Sequence, residues 1–505
     1  MDPATSPAIS LASAFAASVS RNPKKEALFW GDQVFTFLEL FEQSAWVAQR
    51  LQQRFAVRPG DRVGIWLKNC PEYVSALFGV LQIGAVAVPI NNFLKPAELG
   101  FLLADAGVTV LITERELAQT LTSAPEAIGG APRLLVEDFG LRADPTLPAA
   151  AAPMIRSGDL AIIIYTSGTT GRPKGAMLTH GNLLHNVESC RLVLEAVDFD
   201  RFVLLLPMFH SFMVCVGILL PLIVSGSIVL IKSVHPPKNL LQEIMSRGAT
   251  ILPAIPQLFR TLAGAQLPSE LPLRLCISGA APLPAQILKE FSERVPIPLL
   301  EGYGLSEASP VVSMNPIRGP WKAGSIGIPI PNVEVSVQDE LGGVLGIGET
   351  GEICVRGGNV MLGYWNQPEE TAKALRNGWL LTGDIGHRDA DGYFYITDRK
   401  KDMLLVNGIN VYPREIEEVL YHFPGVKEAA VIGEPQVRKG EQPVAFVVAS
   451  PGVELDEKAL LHFVRERLAD YKVPRRVTFL AALPRNATGK VLKSTLREMS
   501  SPAGR

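Results

Sequence analysis

The residues best suited to chemistry stand in four separated segments. The densest is Tyr165-Thr166-Ser167-Gly168-Thr169-Thr170-Gly171-Arg172-Pro173-Lys174-Gly175, eleven positions with three glycines, four Ser/Thr hydroxyls and a lysine. Glycines let backbone N–H groups converge on phosphate oxygens, and hydroxyls and a lysine add donors and charge. It is not a Walker A loop, because GxxxxGK[ST] is absent and Ala176–Thr179 reads as strand rather than helix. A plain surface hairpin is the other reading, and the donor density argues against it.

The second segment is Glu301-Gly302-Tyr303-Gly304-Leu305-Ser306-Glu307. An aromatic between glycines suits a flat ring stacking on it, and Glu307 suits a hard cation such as Mg2+. Gly304 to Ala308 nearly matches the G-x-S-x-G nucleophile elbow but lacks the last glycine, so a serine hydrolase is set aside. The third segment is Leu381-Thr382-Gly383-Asp384, followed by Asp398-Arg399-Lys400-Lys401-Asp402. A carboxylate at a tight turn can accept both hydroxyls of a ribose, although Thr-Gly-Asp also caps ordinary turns. The fourth is Pro484-Arg485-Asn486-Ala487-Thr488-Gly489-Lys490, a lysine on a loop near the C-terminus, suited to neutralising charge in phosphate chemistry. His210 ends a strand beside apolar residues, where a satisfied core histidine is the default. Gly346 to Gly351 fits GxGxxG, but a β run follows, so turns are expected there. Asn486-Ala487-Thr488 fits a glycosylation sequon, which carries little weight without a secretory signal.

These segments need a scaffold, and the hydrophobic pattern supplies one. Strands are expected at Arg62–Leu67, Ala85–Pro89 and Val108–Thr113, with helices Glu72–Leu81 and Ala97–Ala106 between them. The alternation recurs as strand Ser227–Ile231, helix Pro237–Arg247, strand Thr250–Leu252, helix Pro256–Ala263 and strand Leu273–Ser278. Such alternation makes layered α/β sheets. From about residue 320 glycine-rich turns separate short runs Val333–Val337, Glu352–Val355 and Tyr393–Thr397, which predicts an appended β subdomain. After the charged run 398–402 the chain starts afresh with helix Pro413–His422, strands Ala429–Ile432 and Val444–Val448, and a helix from Asp456 to about Ala469. Residues 398–505 hold 18 basic and 14 acidic side chains, net +4, which leaves −6 on residues 1–397. The expected division is therefore a large domain 1–397, a hinge 398–402 and a small mobile α+β domain 403–505.

Composition narrows the class. The 505 residues include 48 Lys+Arg against 50 Asp+Glu, a balance with no electrostatic case for nucleic acid. Five scattered cysteines with no CxxC pair fit neither a disulfide framework nor a thiolate zinc site, and a reducing cytoplasm is the natural compartment. The first twenty residues do not read as a secretory signal. Phe202 to Ile231 is apolar, but Pro207, His210, Pro221 and Ser225-Gly226-Ser227 interrupt it, so buried strand, loop, helix and strand are expected rather than a membrane span. Peripheral membrane contact stays open.

Taken together, Tyr165–Gly175, Pro207–His210, Glu301–Glu307, Thr382–Asp384, Asp398–Tyr412 and Pro484–Lys490 resemble the acyl-adenylate-forming superfamily over nearly the whole chain. Arg399–Pro413 and Met208–Phe212 look most like bacterial fatty acid–CoA ligases. The resemblance implies that ATP and a carboxylic acid give acyl-AMP and pyrophosphate. The small domain then swings, and CoA thiol gives the thioester and AMP. It implies that Thr166, Ser167, Gly168, Thr169, Thr170, Gly171 and Lys174 cradle the β- and γ-phosphates. Tyr303 would stack on adenine, in a nucleotide site made by Glu301, Gly302, Gly304, Leu305 and Ser306. Gly279, Ala280 and Ala281 would line its other side. Thr166 and Glu307 would hold Mg2+; Asp384 and Arg399 would bind ribose, with Ile396 nearby. Lys490 would bridge carboxylate and α-phosphate, and His210 would lie near the carboxylate. Lys401 matches the hinge, and Leu405–Asn410, with Gly408, would border the CoA channel. A lysine that some relatives carry four positions after the hinge is Leu405 here.

The substrate expected is a medium- to long-chain fatty acid, because Met213, Val214, Cys215 and Leu305 offer no charge to pair with a charged tail. An aryl acid is the runner-up, and loading onto a carrier protein is a further alternative. A nucleotide-binding regulator without ligase activity is the reading from another class; the presence of Lys490 and Glu307 argues against it. Homodimers are common in the resembling family.

Overall fold

A computed structural model describes residues 10–120, 130–166, 173–233, 237–268, 270–406, 409–436, 440–486 and 489–500. Ser167 to Arg172, Asn407, Gly408, Ala487 and Thr488 lie outside them.

Four sheets organise the described chain. The first has nine strands in the order Ile328–Pro329, Val311–Met314, Leu299–Gly304, Leu275–Ser278, Ile251–Ala254, Arg201–Leu204, Ser227–Leu230, Glu26–Trp30, Gln33–Thr36. The second has seven, in the order Gly363–Tyr364, Lys174–Thr179, Leu160–Thr166, Val86–Pro89, Arg62–Trp66, Val108–Thr113, Arg133–Leu135. Strands such as Val86–Pro89 and Leu275–Ser278 are buried at every position, as parallel strands covered on both faces must be. One apolar cluster joins residues of both sheets with helices Leu11–Arg21, Phe37–Phe55, Pro71–Gln82 and His180–Val193. Phe15 stacks on Phe78 inside it, with ring centroids 4.2 Å apart. Helices Pro237–Arg247, Pro256–Gly264 and Ala285–Ser292 cover the outer face of the nine-stranded sheet. Helix Pro96–Ala106 covers that of the seven-stranded one. The expected α/β layering is present.

The β subdomain is a sheet of Val333–Gln338, Gly351–Gly357, Trp379–Arg388, Leu375–Arg376 and Phe394–Arg399. Gly346 to Gly351 forms turns leading into a strand, as expected. The small C-terminal α+β domain is built on Ile409–Val411, Leu404–Val406, Gly440–Ala449, Val426–Gln436 and Val477–Phe479. Helices Pro413–Tyr421 and Glu457–Arg465 pack on one face, and Leu496 of helix Lys493–Ser500 packs on the other.

Three local outcomes differ from the sequence reading. The apolar stretch after Pro207 contains a π-helix, Met213–Leu219, continued by Leu220–Ile223; π segments are uncommon and favour functional sites. The expected long helix after Asp456 stops at Arg465, where Arg467 and Leu468 turn back to the Val464 carbonyl. The tail expected from Ser500 is preceded by the helix Lys493–Ser500, which the sequence reading did not include. Among the described residues no helix is long and apolar enough to cross a membrane.

Candidate active site

Tyr303, the aromatic between glycines, lies in strand Leu299–Gly304, paired antiparallel with Val311–Met314. Gly304 makes this close pairing possible: a Cβ there would collide with the Pro310 carbonyl. The strand aims Tyr303 at the β subdomain, where its hydroxyl donates to Asp384 Oδ2 at 2.5 Å. Arg399 Nε reaches Asp384 Oδ1 at 3.1 Å. Asp384 and Arg399 are cross-strand partners in Trp379–Arg388 and Phe394–Arg399, so the register brings them together. The Asp384 amide is held by Thr382 Oγ1 at 3.1 Å, and the Gly383 amide by Glu352 Oε1 at 3.0 Å. Ile396, three residues before Arg399 in the same strand, packs with Tyr303 against a small cluster of Ile326, Val337, Ile353 and Phe394. Burial and the Asp384 carboxylate push the Tyr303 hydroxyl well above its ordinary value, so it remains a donor.

Lys490 arrives from the C-terminal domain. Burial, with Arg399 beside it, lowers its ammonium to about 8, against the opposite pull of Asp384. His210 is its neighbour on the large domain: burial first, and then the Lys490 charge, hold the imidazole down to about 4. His210 Nδ1 accepts from the Phe212 amide at 3.3 Å, which leaves the proton on Nε2. The neutral ring can therefore donate from Nε2. Nearby, the Phe212 ring packs where Gly279 has no side chain; a Cβ on Gly279 would lie 3.1 Å from that ring. Ala280 follows with φ +64, a left-handed conformation that non-glycine residues adopt at a cost of order 1–3 kcal/mol. Ala281 is half-buried beside it. Ser211 Oγ and Ser306 Oγ are 3.0 Å apart and link the His210 segment to the turn after Tyr303. Leu305 is half-buried against the main core.

Glu307 lies in the short 3-10 turn Ser306–Ala308, which packs on strand Lys174–Thr179. Its Oε1 accepts the Tyr364 hydroxyl at 2.8 Å. Thr166 and Lys174 are cross-strand partners, so the ends of the donor-rich segment are placed, while Ser167, Gly168, Thr169, Thr170 and Gly171 lie outside the described residues. Lys174 is buried, ion-paired with Glu370, and 5.2 Å from the centre of the Tyr364 ring. Tyr165, the first residue of the motif, serves the frame instead: its hydroxyl donates to Asp105 Oδ2 at 2.5 Å. Glu301 is fully enclosed, with its Oε1 accepting the Leu283 amide at 3.0 Å, and burial raises its carboxyl to about 7. A Mg2+ ion takes oxygen ligands and commonly one or two carboxylates plus phosphate oxygens. Glu307, oriented through one oxygen by Tyr364, fits that donor set.

Lys401 is exposed, and burial of its stem with Arg399 nearby lowers its ammonium. Leu405 and Ile409 stand about half exposed on the paired strands Leu404–Val406 and Ile409–Val411; Gly408 lies outside the described residues. Thus Tyr303, Asp384, Arg399, Lys401, Lys490 and His210 converge electrostatically, while Glu307, Thr166 and Lys174 form an adjoining corner. Sequence reasoning missed Tyr364, Glu370 and Glu352. Each acts through a partner far away in sequence, and only the motif-like Gly363-Tyr364-Trp365 beside strand Lys174–Thr179 could have signalled the first.

Residues 15–365 match the family model described as AMP-binding enzyme, and residues 415–490 match the AMP-binding enzyme C-terminal domain. A feruloyl-CoA synthase of an Amycolatopsis species is 38% identical over 488 residues, covering 94% of this chain and 96% of that protein. A long-chain-fatty-acid–CoA ligase of Bacillus subtilis (strain 168) is 36% identical over 524 residues, covering 95% of this chain and 93% of that protein. The solved O-succinylbenzoate coenzyme A synthetase from Bacillus subtilis, in complex with ATP and magnesium ion, superposes with a TM-score of 0.85 at 31% identity, over 96% of this chain and 99% of that one. A tyrosine–aspartate–arginine set, a C-terminal lysine reaching it, and matches along both domains lead to one assignment: the chain belongs to the AMP-binding, adenylate-forming enzyme family.

Proposed function

We propose that the protein is an AMP-forming acid–CoA ligase that activates a medium- to long-chain fatty acid as its acyl-adenylate and passes the acyl group to CoA. The observation that carries this reading is the convergence of Lys490 on Asp384, Arg399 and His210, with the π-helix after His210 burying the apolar Met213, Val214 and Cys215.

The reaction opposes like charges, because a carboxylate attacks a phosphate. Cationic and hydrogen-bonding groups fixed in place lower that barrier most effectively in a buried site. Lys490 would sit between the carboxylate and the α-phosphate, its charge drawn from solvent. His210 would donate from Nε2 to the acid. Asp384, with both oxygens already engaged by Tyr303 and Arg399, would take the ribose hydroxyls, and the Tyr303 ring would face the adenine. Glu307 and Thr166 would hold Mg2+, which when bound supplies charge to the phosphate oxygens. Lys174 and the loop 167–172 would meet the β- and γ-phosphates. For the second step the segment 398–402 would act as hinge, Lys490 would withdraw, and the Leu405–Ile409 hairpin would face CoA.

A second reading, an aryl acid, is favoured by the Phe212 ring lying against Gly279, which offers a flat wall to a planar acid. Substrate-dependent AMP release with ATP and Mg2+, run over fatty and aryl acids with and without CoA, separates the two. Release that peaks on aliphatic acids and needs CoA supports the first reading. A peak on aryl acids replaces it with the second. Pyrophosphate release indifferent to CoA points to carrier-protein loading.

A further inference from the structure

Asp384 stands where its own sheet steps out of register. In strand Trp379–Arg388, Ile385 pairs with Glu352 and Leu381 with Cys354, so Ile353 alone faces Thr382, Gly383 and Asp384. A bulge of this kind re-aims a side chain and leaves backbone groups without ladder partners. Gly383 meets the geometry with φ +73, a left-handed conformation that suits glycine. Its N–H and C=O must then be satisfied from elsewhere. Thr382 Oγ1 ties the bulge to the neighbouring strand by donating to the Ile353 carbonyl at 2.7 Å, and it accepts the Asp384 amide at 3.1 Å.

Glu352 supplies what Gly383 lacks. Its Oε1 accepts the Gly383 amide at 3.0 Å, and its Oε2 takes Lys400 Nζ at 3.2 Å. The Lys400 amide donates to the Gly383 carbonyl at 2.9 Å, so both polar groups of Gly383 are held. The Glu352 side chain is 11% exposed, against 50% for Lys400. An enclosed carboxylate thus serves one backbone amide, through a charge-assisted bond stronger than a neutral one, while the ammonium that balances it reaches solvent. Asp384 is the next residue, 3% exposed, with Oδ1 on Arg399 and Oδ2 on Tyr303. Those two partners fix the carboxylate; the bulge fixes the backbone that carries it.

We propose that Glu352 is a positioning residue for nucleotide recognition: by holding the Gly383 amide it sets the bulge that presents Asp384 to the ribose hydroxyls, and so it governs discrimination against a nucleotide that lacks them. This rests on the nucleotide-site part of the ligase reading, in which Asp384 takes the ribose. Glu352 touches no substrate and acts through Asp384. Lys400 balances its charge; the working contact is the one to Gly383.

The test is equilibrium binding of ATP and of 2′,3′-dideoxyATP to the full-length protein, by calorimetry with Mg2+ and no acid. Glu352→Met keeps the side chain's length but carries no acceptor. It should weaken ATP binding by about five- to tenfold, the scale of one lost hydrogen bond to a charged group, and leave dideoxyATP within about twofold. Glu352→Gln, which still offers an acceptor oxygen, should recover most of the ATP affinity. In an Asp384→Ala background Glu352→Met should cost nothing further, because the two act through one contact. A merely structural role weakens both nucleotides alike. That result, an ATP affinity unmoved by Glu352→Met, or a Glu352→Gln variant as weak as Glu352→Met overturns the proposal. Thermal melting checks that each variant folds, and Glu352→Ala takes the place of a Glu352→Met that does not. If the unsubstituted protein binds the two nucleotides alike, the ribose assignment of Asp384 fails and takes the proposal with it. If it discriminates and Glu352→Met discriminates equally well, the assignment stands and Glu352 alone is overturned. Neither result depends on which acid the protein activates.

Discussion

Lys490 and His210 come from different domains, and burial first and then the lysine's charge keep the imidazole neutral. The pair divides the work: one group is a cation whose charge can be titrated, the other a neutral donor. Lys490 is lowered to about 8 in the free protein, so its charged fraction falls as pH rises through that value. If the cation is what opposes the two anions, kcat/KM for acyl-AMP formation, which reports the free enzyme, should decline above about pH 8. His210, held to about 4, should give no limb in the usual histidine range. Lys490→Arg should carry the alkaline limb upward, because a guanidinium keeps its charge. Pyrophosphate exchange against pH measures both, and an unmoved limb in the arginine variant would remove Lys490 from the assignment.

Glu307 and Tyr364 make a second separable pair. If Glu307 holds Mg2+, Glu307→Gln should raise the Mg2+ concentration needed for half-maximal rate by on the order of 10–100-fold or more. Tyr364→Phe removes only the 2.8 Å hydrogen bond that orients the carboxylate. It should shift the same Mg2+ curve by less, about fivefold, the scale of one hydrogen bond. Mg2+ titrations of the adenylation rate read the two side by side. A Glu307→Gln curve that coincides with the unsubstituted one would end the metal-ligand reading.

Much of this was legible from the chain. The parallel strands read as short apolar runs because both faces are covered, and helix Pro237–Arg247 read correctly because Pro opens it and Gly248, at φ +59, closes it. Asp384, Arg399, Tyr303 and Lys490 were named through the resemblance their motifs carry as a set, since each motif alone also fits an ordinary turn or surface segment. What was not legible is whatever depends on distant pairing. Gly302 and Gly304 read only as room beside a stacking ring; that Gly304 also admits a neighbouring strand depends on Val311–Met314, out of reach of the local pattern. Tyr364 has at most the weak signal of Gly363-Tyr364-Trp365 and Glu370 none, since their meaning comes from Glu307 and Lys174, far back in sequence. The π-helix at Met213–Leu219 has the same apolar pattern as an α-helix of that length, so periodicity could not separate them.

Gly279 sets the width of the acid-binding wall if that wall is where Phe212 lies. A Cβ at 3.1 Å from the ring is tighter than ordinary contact, so the ring must yield by a few tenths of an ångström. Gly279→Ala should therefore leave folding and the ATP KM close to normal and raise the KM of the acid. The increase should be greater for broad aryl acids than for straight aliphatic ones, by about three- to tenfold, as expected when packing in an apolar pocket changes by roughly a methyl group. Steady-state kinetics with one acid of each shape checks this. A change confined to the ATP KM would move Gly279 out of the acid pocket.

Lys174 is spoken for before ATP arrives. Its ammonium is buried against Glu370 and the Tyr364 ring, and the lysine together with Lys373 holds the Glu370 carboxyl down to about 2, so the partner stays ionised across the working range. If Lys174 serves the β- and γ-phosphates, ATP must draw it from Glu370, and the ion pair is a competitor. Glu370→Gln should then lower the ATP KM by about two- to fivefold with kcat unchanged, the scale of a single ion pair. Lys174→Ala should raise the ATP KM, and adding Glu370→Gln to it should change nothing more, because the two act through one contact. The opposite result for Glu370→Gln alone, a higher ATP KM, would recast Glu370 as the group that aims Lys174 rather than one that withholds it.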